Sequence, residues 1–135
     1  MHRKYKESHR WSGEVIGAAI EVHRLKGPGL LEEIYQKCLM RECEIRNIPT
    51  RDQIHIGLEY KGMQCEQCLR LDLLVADCLL IELKAVEKVL PVHKAQLFSY
   101  MKLLDVPVGL LINFHSPVLK SGICRMILPG ADQDE

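Results

Sequence analysis

Residues 70–85 read Arg70-Leu71-Asp72-Leu73-Leu74-Val75-Ala76-Asp77-Cys78-Leu79-Leu80-Ile81-Glu82-Leu83-Lys84-Ala85. The runs Arg70 to Val75 and Cys78 to Ala85 are so rich in Leu, Ile and Val that each is expected to be a strand buried on both faces. Burying an unpaired charge is expensive, so the charged residues inside these strands require a physical explanation: Arg70, Asp72, Glu82 and Lys84. In an antiparallel hairpin whose loop covers residues 76 to 78, Asp72 falls opposite Glu82 and Arg70 opposite Lys84, with facing Cβ atoms roughly 5 Å apart. Simple alternation puts Arg70 and Asp72 on one face with Leu74, and Leu69, Leu71, Leu73 and Val75 on the other.

Two carboxylates brought that close repel, so one takes up a proton or a cation sits between them. Oxygen ligands from two carboxylates, completed by water and a substrate phosphate, suit Mg²⁺ or Mn²⁺. An adjacent Lys84 can then stabilise developing charge or orient an attacking water. The other reading is an ordinary ion-pair cluster, Asp72 with Arg70 and Glu82 with Lys84, that keeps the strands in register. Spacing alone does not separate the two.

Upstream, Val15, Ile16, Ala19, Ile20 and Val22 recur at helical spacing between Trp11 and about Lys26, with Ser12 available as an N-cap. Gly27-Pro28-Gly29 breaks that helix, and Leu31, Ile34, Tyr35, Cys38 and Ile45 trace a second one, giving a helical hairpin. Ile54, Ile56 and Leu58 alternate with polar residues as a half-exposed strand does. Downstream, Pro91 suits the first turn of a third helix with Leu97, Met101 and Leu104 on its core stripe, followed by strands over Val108 to Phe114 and around Ile123 to Leu128. His93, Gln96 and Tyr100 form a polar stripe beside that core stripe. The order predicts an α/β fold, a mixed β-sheet flanked by helices in which the third helix crosses over between strands.

The chain has 135 residues, equal numbers of basic and acidic side chains (18 each) and 47% hydrophobic residues, enough for one core. We expect a flexible basic N-terminus over residues 1–10, one domain over 11–129 and an acidic tail over 130–135. Zero net charge gives no global basic field, so any contact with nucleic acid must be local. No apolar run approaches the roughly 20 residues of a membrane span, and no secretory signal is evident, so the expectation is no membrane association and a cytoplasmic location. Of the six cysteines, most lie in apolar runs and read as small hydrophobes. The pair Cys65 and Cys68 has metal or redox spacing, but on a regular strand residues three apart point to opposite faces.

Together these motifs make the sequence resemble the small GxxExxY proteins of the PD-(D/E)xK nuclease superfamily. Gly29-Leu30-Leu31-Glu32-Glu33-Ile34-Tyr35 matches the naming motif, and Asp72 followed by Glu82-Leu83-Lys84 the superfamily signature. His93 to Tyr100 resembles the Gln-x-x-x-Tyr helix of the exonuclease-type branch, and the likeness extends through Gly109 to Phe114. It implies a restriction-endonuclease-like core and a metal held by Asp72, Glu82 and the backbone carbonyl of Leu83. It further implies that Lys84 acts on the water or the phosphorus, that Glu32 reaches the site from its helix, and that Gln96 and Tyr100 orient water or phosphate. By position alone, Glu32 is also a first-turn glutamate complementing the helix dipole. The leading expectation is a Mg²⁺- or Mn²⁺-dependent nuclease acting on DNA. The alternative is a catalytically silent nucleic-acid-binding or regulatory module on the same fold, and the weakest reading is a thiol-based metal or redox protein. So small a chain leaves little surface for substrate recognition, which suggests a homodimer or a protein partner.

Overall fold

The computed structural model describes residues 1–134. Helices α1 (Tyr5–Lys26) and α2 (Glu32–Ile45) precede strands β1 (Thr50–Tyr60), β2 (Met63–Val75) and β3 (Leu79–Lys84). Helix α3 (Pro91–Leu104) leads to β4 (Val108–Asn113), and a 3-10 turn at Leu119–Gly122 leads to β5 (Ile123–Ile127). The strands form one sheet in the order β1-β2-β3-β4-β5. All neighbours are antiparallel except β3 and β4, which are parallel and therefore need the α3 crossover. This is the mixed sheet and helical hairpin expected of a restriction-endonuclease-like α/β fold.

Each face of the sheet has its own core. On one, Leu73, Val75, Leu79, Ile81, Leu83, Leu110 and Ile112 pack against Val15, Ala19, Tyr35 and Leu39 of α1 and α2. On the other, Leu71, Leu74, Leu80 and Leu111 meet Leu97, Tyr100 and Met101 of α3. Strands β3 and β4 are thus covered on both sides, which is why they read as continuous apolar runs. Burial of each such leucine contributes roughly 1.5–3 kcal/mol. Gly109 lets α3 approach β4 closely, since a Cβ there would lie 2.7 Å from the Met101 sulfur.

Five expectations are corrected. Helix α1 starts at Tyr5, so Ser12 is not its N-cap; the Ser12 hydroxyl instead donates to the His9 carbonyl within the helix. The polar N-terminal segment is not a free arm, because the buried Ser8 hydroxyl donates to the Cys78 carbonyl and the His2 N–H to the carbonyl of buried Ala131. Ala131 accordingly docks on the domain where an acidic tail was expected, and Glu135 lies outside the described residues. Strand β1 ends near Lys61-Gly62 as expected but starts earlier, at Thr50, and β2 begins at Met63 where a start at Arg70 was expected, because the two pair with each other, Tyr60 with Met63 at the tip, where both are exposed. Finally, β2 is not evenly pleated. A bulge between the pairs Ile56/Leu69 and Leu58/Cys65 contains Gln67 at φ 53°, so Cys65 and Cys68 are not on opposite faces of a regular strand.

Candidate active site

The hairpin of β2 and β3 has the predicted phase: Val75 pairs with Leu79, Leu74 with Leu80 and Leu73 with Ile81, leaving residues 76–78 as the loop. The ladder then stops one step short of Asp72 and Glu82. Leu71 and Leu73 lie in the cores on opposite faces of the sheet, so the expected alternation fails at Asp72 and the backbone rolls over there. Across from it in β1, Gln53 occupies the left-handed region at φ 51°. The consequence is chemical. Asp72 Oδ2, and not a β2 carbonyl, accepts the Leu83 N–H at 2.8 Å.

This bond fixes Leu83's backbone edge. The N–H and C=O of one strand residue leave on the same side, so the Leu83 carbonyl also faces β2. Lys84 turns its carbonyl the other way, to the Phe114 N–H at 2.9 Å. Gln36 of α2 donates to the Asp72 carbonyl at 3.2 Å, tying the rolled segment to the helix.

Glu82 is only 5% exposed, and its Oε1 has no hydrogen-bond partner. Burial first, and then the Asp72 charge, push its carboxyl up to about 8 from an ordinary 4.5; Lys84 and the Asp72 backbone amide act against this, and Glu32 adds to it. Asp72 is also raised by burial, but the Leu83 N–H, Lys84 and Arg70 pull it back. Asp72 therefore ionises first and Glu82 keeps its proton, as expected of two neighbouring acids. Burial and then Asp72 raise Glu32, again opposed by Lys84. Four groups from three elements thus share one field.

They are not paired off as ions. Among the described residues, no ion pair within 4 Å involves Glu32, Arg70, Asp72, Glu82 or Lys84. The ion-pair cluster proposed from spacing is therefore not the arrangement found. Nor, among the described residues, do three His, Cys, Asp or Glu side chains gather closely enough to hold an ion by themselves. Beside the cluster lies a cavity of about 390 Å³ lined by Leu31, Glu32, Glu33, Gln36, Arg70 and Asp72.

The Gly29 to Tyr35 motif positions α2 over this cavity. Gly29 has φ 106°, a conformation that side chains disfavour. The buried Tyr35 hydroxyl donates to the Gly27 carbonyl and accepts the Leu30 N–H at 3.1 Å, closing the loop back onto the helix. Its ring stacks on Phe114 with centroids 4.5 Å apart. With the loop held in this way, Glu32 is the first residue of α2 and half-buried at the cavity. Asn113 does the same for the segment after Lys84: its Nδ2 donates to the Val86 carbonyl at 2.8 Å and its Oδ1 accepts the Val86 N–H at 3.1 Å.

Gln96 and Tyr100 are bonded to each other, Gln96 Nε2 donating to the Tyr100 hydroxyl at 2.8 Å. Tyr100 is buried in the α3-side core and Gln96 is exposed; the bond between them involves none of Asp72, Glu82 or Lys84. One residue was not anticipated. Gln36 could have been found as the position one turn beyond Glu32 on the same helix face. Arg70, expected from the sequence on the face of Asp72, lines the cavity beside it.

No curated protein and no solved structure matches the chain. The family model of the PD-(D/E)XK nuclease superfamily matches residues 9–126, a span that contains α2, the β2–β3 hairpin and the α3 crossover. An aspartate on one strand and a Glu-x-Lys on the next are what the superfamily's name describes, and the match takes in most of the chain. The chain belongs to the PD-(D/E)XK nuclease superfamily.

Proposed function

We propose that this chain is a GxxExxY-type nuclease of the cytoplasm that hydrolyses DNA phosphodiester bonds with the aid of one Mg²⁺ or Mn²⁺. Asp72, Glu82 and the Leu83 carbonyl would hold the ion. The observation that carries the reading is the buried, partnerless Oε1 of Glu82 beside the Asp72 carboxylate. A buried polar atom without a partner is costly, and a hard cation would relieve both that cost and the repulsion between the carboxylates. Two carboxylates and a carbonyl leave coordination positions for water and a phosphate oxygen, the habit of Mg²⁺ and Mn²⁺ and not of structural zinc.

When bound, such an ion neutralises phosphoryl charge and makes a nearby water more acidic. The protein's own groups do the rest. Asp72, fixed by the Leu83 N–H, and Glu82, held by burial, would keep the ion in place. Lys84, one residue beyond Leu83, places an ammonium where negative charge grows on the phosphoryl oxygens as water attacks phosphorus and the ester oxygen leaves. Glu32, held proton-prone by burial and by Asp72, can accept a hydrogen bond from the attacking water and later take its proton. Gln96 and Tyr100 enter this reading only through the resemblance.

The test is a cleavage assay on supercoiled and linear DNA with Mg²⁺ or Mn²⁺. Cleavage should stop with a chelator and fall at least about a hundredfold in Asp72→Asn and in Lys84→Ala. Cleavage that survives in both variants would overturn the assignment.

A further inference from the structure

The mechanism makes no use of the thiols, and they are not equivalent. Cys43 and Cys78 are buried, and burial pushes Cys43 up to about 11 and also raises Cys78, which leaves both inert. Cys38 and Cys124 are half-buried, in α2 and β5. Cys68 is exposed and Cys65 half-buried, next to each other in the outer part of β2.

On a regular strand, residues three apart are separated by about 10 Å of backbone and point to opposite faces, too far apart for a disulfide, whose Cα atoms stand about 4.4–6.8 Å apart. The bulge in β2 breaks that regularity. Gln67 at φ 53° turns the chain back, and the register with β1 shifts between Leu58/Cys65 and Ile56/Leu69. The Cys68 sulfur then lies 3.5 Å from the Cys65 carbonyl oxygen, folded over the residue three before it. The neighbouring Cys68 thiol, burial and the Cys68 charge together raise the thiol of Cys65.

We infer that Cys65 and Cys68 form a dithiol modification site, which small-molecule disulfides of the glutathione type oxidise to an intrachain disulfide closing the bulge. The Cys68 sulfur, the more exposed, gives up its proton and attacks one sulfur of the small disulfide, expelling one thiol and leaving a mixed disulfide. Cys65 then loses its proton and attacks the Cys68 sulfur, expelling the second thiol. Two protons and two electrons pass from the protein to the small disulfide, which leaves as two thiols. The site lies four positions before Asp72 on the same strand, yet it does not depend on the nuclease reading.

The experiment equilibrates the fully reduced chain with oxidised glutathione, quenches with acid, and alkylates every remaining thiol under denaturing conditions for intact-mass and peptide analysis. Alkylatable thiols should fall from six to four, with the lost pair in one peptide joining Cys65 and Cys68. Cys65→Ser should stop at a glutathione adduct on Cys68, and Cys68→Ser should retain five alkylatable thiols. A glutathione adduct that persists on Cys68 in the unaltered chain, a disulfide through any other cysteine, or six thiols still free would each overturn the proposal. Because the readout is covalent mass, a failed cleavage assay does not affect it.

Discussion

Asp72 stands in for a strand carbonyl: its Oδ2 accepts the Leu83 N–H at 2.8 Å where the β2–β3 ladder has just ended. One carboxylate thereby satisfies a backbone donor, marks the point where the strands part, and lies beside the buried Glu82. Structural and chemical roles meet in one side chain, and substitutions can separate them.

Asp72→Asn keeps an acceptor for Leu83 and removes the charge; Asp72→Ala removes both. The alanine variant should be less stable than the asparagine variant by about 1–3 kcal/mol, the cost of leaving a buried donor unsatisfied. Chemical denaturation of the two variants side by side measures the difference. Equal stabilities would mean that water or another group replaces the carboxylate.

Glu82 sets the pH dependence. Its folded carboxyl titrates near 8 and an unfolded one near 4.5, so between these values the folded chain carries more protons. Stability of the metal-free protein should therefore be greatest below about 4.5 as far as this group is concerned, and should decline as pH rises through 8, by up to a few kcal/mol. Asp72, also raised, contributes with the same sign. In Glu82→Gln the decline should largely vanish, measured as the midpoint of urea unfolding across that range.

The sequence revealed much of this and missed particular parts for definable reasons. The apolar runs on either side of residues 76–78, and a helix between two buried strands, were enough to read the hairpin phase and the parallel crossover. The roll at Asp72 was not legible, because alternation assumes an even pleat and the left-handed Gln53 across the sheet leaves no compositional mark. The early start of α1 was hidden because Tyr5 to Arg10 is polar; its anchoring depends on Ser8 reaching the Cys78 carbonyl, seventy residues away. Cys65 and Cys68 were misassigned for the same reason as Leu71, a local departure from the two-residue period.

Tyr35→Phe tests how the loop positions Glu32. The ring can keep its stack on Phe114, but the Gly27 carbonyl and the Leu30 N–H lose their shared partner. The expected cost is about 1–2 kcal/mol in stability. A fall in cleavage rate similar to that of Glu32→Gln would follow if the loop's task is to place that carboxylate; an unchanged rate would confine Tyr35 to folding.

Lys84→Ala separates charge stabilisation from ion binding. Removing the ammonium should lower cleavage by a hundredfold or more while divalent-ion binding persists, somewhat weakened by the higher pKa values of Glu82 and Glu32 that follow from losing a nearby cation. Lys84→Arg restores the charge but not the compact ammonium, and should recover only part of the rate.

The most direct test of the central claim is a Mn²⁺ titration of the metal-free protein at neutral pH, followed by calorimetry in buffers of differing ionisation enthalpy. The account predicts one ion per chain, displacement of the Glu82 proton on binding, and loss of the site in both Asp72→Asn and Glu82→Gln. Binding that releases no proton, or that persists unchanged in those two variants, would contradict it.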